Sequence, residues 1–296
     1  MKRVIILLLS CLVLNVHSAE LADYVPEGPA STIGNGTDLS GVAYGSTQEG
    51  LFGEFTVDNY NATLSYPGDK TCNLGGDLEG VTMGQNPGDV YVLNESINGI
   101  RGVTVSSSGC TDTNKFKVNL SSSSSDGLEG IVYKDNWLYF IDERTSVIYK
   151  APSDSTGYSV SLTTLFTVPN CFLGSGLTFN GDNLVIACDN QEGNGGNGTL
   201  YEYTLDGGYV SELDVDFTNV EGVTFNGSQL IVTGEPNVIQ RFSAGDPVDP
   251  PPPPPGPTEE TCTFSGEVVV NIETGLWDAQ TVPFVCPTLT VSGTLN

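Results

Sequence analysis

Carboxylates return to one place in a repeated six-residue motif. Leu39-Ser-Gly-Val-Ala-Tyr44, Leu78-Glu-Gly-Val-Thr-Met83, Leu128-Glu-Gly-Ile-Val-Tyr133, Gly174-Ser-Gly-Leu-Thr-Phe179 and Val220-Glu-Gly-Val-Thr-Phe225 align without gaps. The second position holds Ser40, Glu79, Glu129, Ser175 and Glu221, at intervals of 39, 50, 46 and 46 residues. After each motif come a turn and a second apolar run that ends in an acid: Glu54, Glu95, Glu143, Asp189 and Glu235. If the fold gathers these acids, they cannot all stay ionised in a confined space without rising pKa values or a bound cation. Ca²⁺ suits such a set, because it is a hard ion that takes about six to eight oxygens. The expected metal ligands are Glu79, Glu129, Glu221, Glu95, Glu143, Asp189 and Glu235, with Asn94, Asp142 and Asn190 beside them as further oxygen donors. A cation there would polarise a carbonyl or phosphoryl oxygen, and Glu143 or Glu129 would be the candidate catalytic carboxylate acting on water. Two plainer readings stand beside this one. The polar residue before each Gly could bond the backbone of its neighbour, with Arg101, Arg144 or Arg241 neutralising some acids, or the acids could simply face solvent.

The elements that must position these residues follow from the repeat. Short β-branched and aromatic runs are separated by Asn-Gly, Asp-Asn and Gly-Ser turns, the pattern of strands in hairpins. About four such runs per unit of roughly 45 residues make a β-propeller blade. The expected architecture is all-β, a propeller of five four-stranded blades, with six as the alternative. In that arrangement the start of the first strand and the end of the second lie together at the channel mouth, which gathers the two sets of acids into concentric rings. The fifth unit lacks a fourth strand, and residues 20–37 are expected to supply it and close the ring.

Composition narrows the function. The chain has 296 residues and a formal net charge of −26, from 36 Asp+Glu against 10 Lys+Arg. Nucleic acid is therefore excluded as an expected partner, since phosphate binding needs clustered Lys and Arg. Residues 1–19 read as a secretory signal: Lys2 and Arg3, an apolar Val4–Leu14, then His17-Ser18-Ala19. That apolar run is too short for a transmembrane segment, which needs about 20 residues. The only His leaves with the signal, so the mature chain has none for a Ser-His-Asp or Cys-His mechanism or a His-ligated zinc. The expected location is secreted or extracellular, with periplasm and cell surface as alternatives.

Six cysteines remain after the signal, an even count that favours disulfides in an exported chain. Cys262 and Cys286 are isolated by a linker and expected to pair. The propeller geometry brings Cys171 near Cys188, which leaves Cys72 for Cys110. The expected domains are a propeller over 20–245, a proline-rich spacer over 246–258 and a small disulfide-linked β-module over 259–296. This layout suggests a ligand-recognition or surface-display module whose partner is an extracellular ligand, polymer or surface protein. The alternative is a calcium-dependent hydrolase of lactones, esters or phosphate esters. Six Asn-x-Ser/Thr sites occur, at Asn35, Asn61, Asn94, Asn119, Asn197 and Asn226.

The pattern Leu-[Ser/Glu]-Gly-[Val/Ile]-x-[Tyr/Phe], a turn, and an apolar strand ending in Asp-Glu or Asn-Glu resembles the SdiA-regulated family of propellers. It is also similar to the esterase-like, phytase-associated propellers. Asp126–Arg144 carries the likeness best, and it extends over about residues 38–243. The resemblance implies an exported propeller with Ca²⁺ at the mouth. More distantly, Glu-Gly opening an inner strand is similar to the calcium ligand of gluconolactonase-like propellers, at positions matched by Glu79, Glu129 and Glu221.

Overall fold

The computed structural model describes residues 19–32, 38–119, 127–190 and 197–245. The expected signal through residue 18, the expected spacer, and the expected C-terminal module with Cys262 and Cys286 lie outside the described residues.

Each repeat folds as an antiparallel meander, and the meanders form five sheets. Blade 1 comprises Leu39–Ser46, Phe52–Asp58, Thr63–Tyr66 and Lys70–Asn73. Blade 2 comprises Leu78–Met83, Asp89–Asn94, Gly99–Ser106 and Gly109–Asn119, with Gly157–Ser161 added parallel to its outer strand. Blade 3 comprises Leu128–Lys134, Trp137–Asp142, Val147–Pro152 and Thr163–Thr167. Blade 4 comprises Leu173–Asn180, Asn183–Asp189, Thr199–Tyr203 and Tyr209–Asp214. Blade 5 takes Val220–Asn226, Gln229–Gly234 and Val238–Ala244, and its fourth strand is the N-terminal Tyr24–Pro26. The sequence turns explain the hairpins: Asp135 and Asn136, both at positive φ (51° and 66°), join the first two strands of blade 3, as a two-residue primed turn requires.

The ring therefore closes as expected, with five blades. Tyr24 faces Ala244 and Pro26 faces Phe242, while Ser31–Thr32 pairs with the other end of the same strand. Inner strands neighbour one another in cyclic order, blade 5 returning to blade 1. Apolar residues on facing sheets form the cores between blades, for example Val57, Leu64, Leu78 and Val92 between blades 1 and 2. Among the described residues two disulfides add covalent ties. Cys72–Cys110 joins the outer strands of blades 1 and 2, and Cys171–Cys188 ties the entry of blade 4 to its second strand.

The closing segment is pinned by a residue that periodicity does not single out. Glu202 is buried, and its carboxylate accepts from the Leu21 amide (3.1 Å), Ser211 Oγ (2.9 Å), Asn180 Nδ2 (3.1 Å) and Asn183 Nδ2 (3.0 Å). Leu21 itself sits wholly inside the blade 4–5 core. A carboxylate with every oxygen engaged is stabilising, whereas deleting it leaves several donors unpaired. Glu202→Ala is thus expected to cost about 3 kcal/mol and lower the melting temperature by about 8 °C, read by thermal unfolding.

Candidate functional site

At one end of the ring each inner strand opens with the motif, and its second residue is displaced from the ladder. In blade 3, Leu128 faces Asp142 and Gly130 faces Ile141, so Glu129 has no opposite number. The same extra residue is Ser40 in blade 1, Ser175 in blade 4 and Glu221 in blade 5, and blade 2 shifts register across Glu79 and Gly80. A β-bulge re-aims its side chain. Here a bulge at the same place in every blade turns Glu79, Glu129 and Glu221 toward the axis.

The glycine after each bulge lets the strands approach closely. A Cβ on Gly130 would lie 2.6 Å from the Ser175 carbonyl oxygen, and one on Gly176 would lie 2.9 Å from that of Glu221. With the Val, Ile and Leu residues that follow, these glycines leave a gap of only about 10 Å³ on the axis. The channel is closed in the middle, and the two mouths are separate cavities.

The second strands deliver the other ring. The Glu95 amide bonds to the Asp77 carbonyl (2.9 Å), Glu143 to Gly127 (3.1 Å) and Glu235 to Asn219 (3.0 Å), which fixes each acid against the entry of its own blade. Together the rings line a cavity of about 310 Å³ walled by Asn59, Leu173, Ser175 and all seven acids expected as ligands: Glu79, Glu95, Glu129, Glu143, Asp189, Glu221 and Glu235. Among the described residues no Lys or Arg lines it.

The electrostatic strain is visible in the carboxyls. Burial, then repulsion from Asp77, pushes Glu79 up to about 8, with hydrogen bonds to Glu129 and Ser40 opposing this; Asn59 Nδ2 also donates to Glu79 Oε1 at 2.8 Å. Burial, then Glu79, Glu221 and Glu143, drives Glu129 well above the ordinary carboxyl range. Burial, then Glu235 and Glu79, does the same to Glu221. Glu235 is raised to about 7, chiefly because it shares a hydrogen bond with the Asp38 carboxyl. Glu95 and Glu143 are also raised, mainly by burial; Arg144 eases Glu95 slightly. Two triads, Asp77–Glu79–Glu95 and Glu95–Glu129–Glu143, offer oxygens that all lie within 4.8 Å of one another, with Glu95 common to both. One Ca²⁺ at about 2.3–2.6 Å from each oxygen can touch a triad of that span. The donors are oxygens throughout, so the set fits a hard cation rather than a soft one.

Several expectations are corrected. Glu54 is not in the ring. It faces Tyr44, well before the end of a strand that continues to Asp58, and is ion-paired with Arg241. Asn59 stands at the ring position instead, so the true ring-ending run of blade 1 is Phe55-Thr-Val-Asp58-Asn59. The flanking donors do not line the cavity either. Asp142 Oδ1 accepts from the Thr145 amide (2.8 Å) and hydroxyl (2.7 Å), and Asn190 Nδ2 donates to Thr199 Oγ1 (2.9 Å). Asn94 is buried, accepts from Ser96 Oγ (2.8 Å) and donates to the Gly75 carbonyl, which also closes it to glycosylation. The backbone-bonding reading holds for one position: Ser175 donates to the Val220 carbonyl of blade 5. Arg101 pairs with Asp112 at 3.1 Å and Arg241 with Glu54, so neither neutralises the rings. Asp38 and Asp77, both of which act on ring acids, went unassigned. Their signal was their place, immediately before the first motif residue, where Gly127 and Asn219 also stand.

No family model matches the sequence, and no curated protein matches it. Solved structures do. Glutaminyl cyclase from Myxococcus xanthus superposes with a TM-score of 0.50 at 13% identity, over 74% of this chain and 100% of that one. A protein of unknown function from Bacteroides thetaiotaomicron gives 0.48 at 12%, over 74% and 73%. A chain of a nidogen/laminin complex gives 0.47 at 17%, over 67% and 72%. The likeness is one of fold.

Proposed function

We propose that the acid-lined mouth holds Ca²⁺, and that the propeller is a secreted recognition or display module which uses the cation to bind an extracellular ligand. The observation that carries this reading is the convergence of seven carboxylates on one cavity that no Lys or Arg among the described residues lines. A cation compensates that charge and leaves open coordination positions toward solvent for a carboxylate- or phosphate-bearing ligand. The resemblance of the repeats to SdiA-regulated and phytase-associated propellers supports the cation, and the proline spacer before a small C-terminal module supports the display role. Polygalacturonate and polyphosphate columns test it. Retention in calcium that is lost in chelator and in Glu129→Gln is expected, and flow-through under both conditions overturns it.

A second reading, a calcium-dependent hydrolase, is favoured by one observation. Glu235 is held at about 7, the range suited to general acid–base work near neutral pH. Its mark would be turnover of an ester, lactone or phosphate ester that disappears in Glu235→Gln and in chelator. Turnover that survives both dismisses it.

A further inference from the structure

The opposite mouth is chemically unlike the acidic one. The sixth motif residue of each blade, Tyr44, Met83, Tyr133, Phe179 and Phe225, rings a separate cavity of about 390 Å³ beyond the glycine constriction. All five side chains are half-buried. Tyr133 is backed by Tyr91, whose ring lies 5.9 Å away, and Phe179 by Tyr139 at 5.2 Å. Three of the residues that precede them, Thr82, Thr178 and Thr224, also line the wall, with Ala43 and Val132 at the other two places; the Thr82 hydroxyl accepts from the Tyr133 amide (3.1 Å), which leaves Thr178 and Thr224 as the hydroxyls for a ligand.

Charge is the decisive contrast. In a chain of net charge −26 no acid among the described residues lines this cavity, and the one cation that does is already engaged. Lys134 Nζ donates to Asp182 Oδ1 (2.8 Å) and to the Gly181 carbonyl (2.5 Å), and lies 4.7 Å from the centre of the Phe179 ring. A wall of preset ring faces, threonine hydroxyls and no free charge suits a neutral ligand that has both an apolar C–H face and a hydroxyl rim. That is the chemistry of a hexopyranose: its axial C–H bonds meet the electron-rich ring faces while its hydroxyls exchange hydrogen bonds with threonine. The volume lies within the range of about 300–1,000 Å³ found for small-molecule sites.

We infer that this mouth is a second binding site, which takes a neutral pyranose sugar independently of the acidic mouth. Both ends of the disc would then be occupied by different chemistries, a cation at one and a sugar at the other. The site does not rest on the calcium reading, because the closed channel separates the two cavities.

The test is saturation-transfer NMR and calorimetry of the full chain with glucose, galactose, mannose and N-acetylglucosamine and their disaccharides. Binding of at least one sugar is expected, unchanged by chelator and by Glu129→Gln. Tyr44→Ala, whose side chain belongs to none of the buried cores, is expected to weaken it at least tenfold without altering the melting temperature. Thr178→Val and Thr224→Val, which keep side-chain shape, are expected to weaken it several-fold. Three results overturn the inference: no sugar binds, binding is untouched by these variants, or octanol binds as tightly as octyl glucoside, which would assign the cavity to an alkyl chain.

Discussion

Raising the pH from about 5 to about 9 in chelator is expected to lower the melting temperature by about 10 °C, and calcium is expected to restore it. The sign follows from the direction of the carboxyl shifts. Glu79 at about 8 and Glu235 at about 7 both titrate higher in the folded protein than in the unfolded chain, where carboxyls return to their ordinary range. A group raised on folding contributes stability that is fully present below the unfolded pKa and is lost as pH rises through the folded one. The loss therefore begins near pH 4.5 and is complete above about 8. For buried Glu79 alone it is on the order of 5 kcal/mol, at about 1.4 kcal/mol per pH unit of displacement. Glu129 and Glu221, raised in the same direction, add to it. A cation that binds only the folded, ionised rings reverses the loss by mass action. Melting curves across this pH range, with calcium and with chelator, check the prediction. A metal-free protein most stable near pH 9 would contradict it.

Glu129→Gln should move stability and metal affinity in opposite directions. Glu129 is repelled by Glu79, Glu221, Glu143 and Glu95, so an uncharged side chain of the same shape removes the most crowded charge in the cavity. At pH 8 in chelator the variant is expected to melt several degrees higher than the parent. Near pH 5, where the parent carboxyl already carries its proton, the two should melt together. In calcium the order reverses, because one triad has lost a ligand, and calcium affinity should fall at least tenfold. Parallel changes in stability with and without calcium would instead identify Glu129 as an ordinary structural residue.

The fold was legible because a propeller writes its period into the sequence. The six-residue motif marks each inner strand, and the missing fourth strand of blade 5 pointed to closure by the N-terminus, which Tyr24–Pro26 supplies. Six of the seven ring acids were legible for the same reason, since equivalent positions in each blade meet on one axis; Asp189 reaches the cavity from one residue earlier, facing Leu173 as Asp142 faces Leu128. What failed was local. In blade 1 the acid at Glu54 imitated the end of a strand that runs four residues further, and register along a strand depends on pairing that one segment alone does not encode. Asp142 and Asn94 sit next to ring acids in sequence, but their side chains are taken up locally, by Thr145 and by Ser96 and Gly75, so neighbours in the chain are not neighbours in the cavity. Glu202 was invisible because its partners come from Leu21, Asn180, Asn183 and Ser211, which only tertiary structure brings together.

Calcium titration of the purified protein by calorimetry at about pH 8 tests the central claim most directly. The account predicts saturable binding with release of protons, because Glu79 and its neighbours must ionise to take the ion. The same titration in Glu129→Gln should be weakened at least tenfold. No heat of binding and no proton release in the parent would contradict the account, and would leave the two rings as a protonated structural wall.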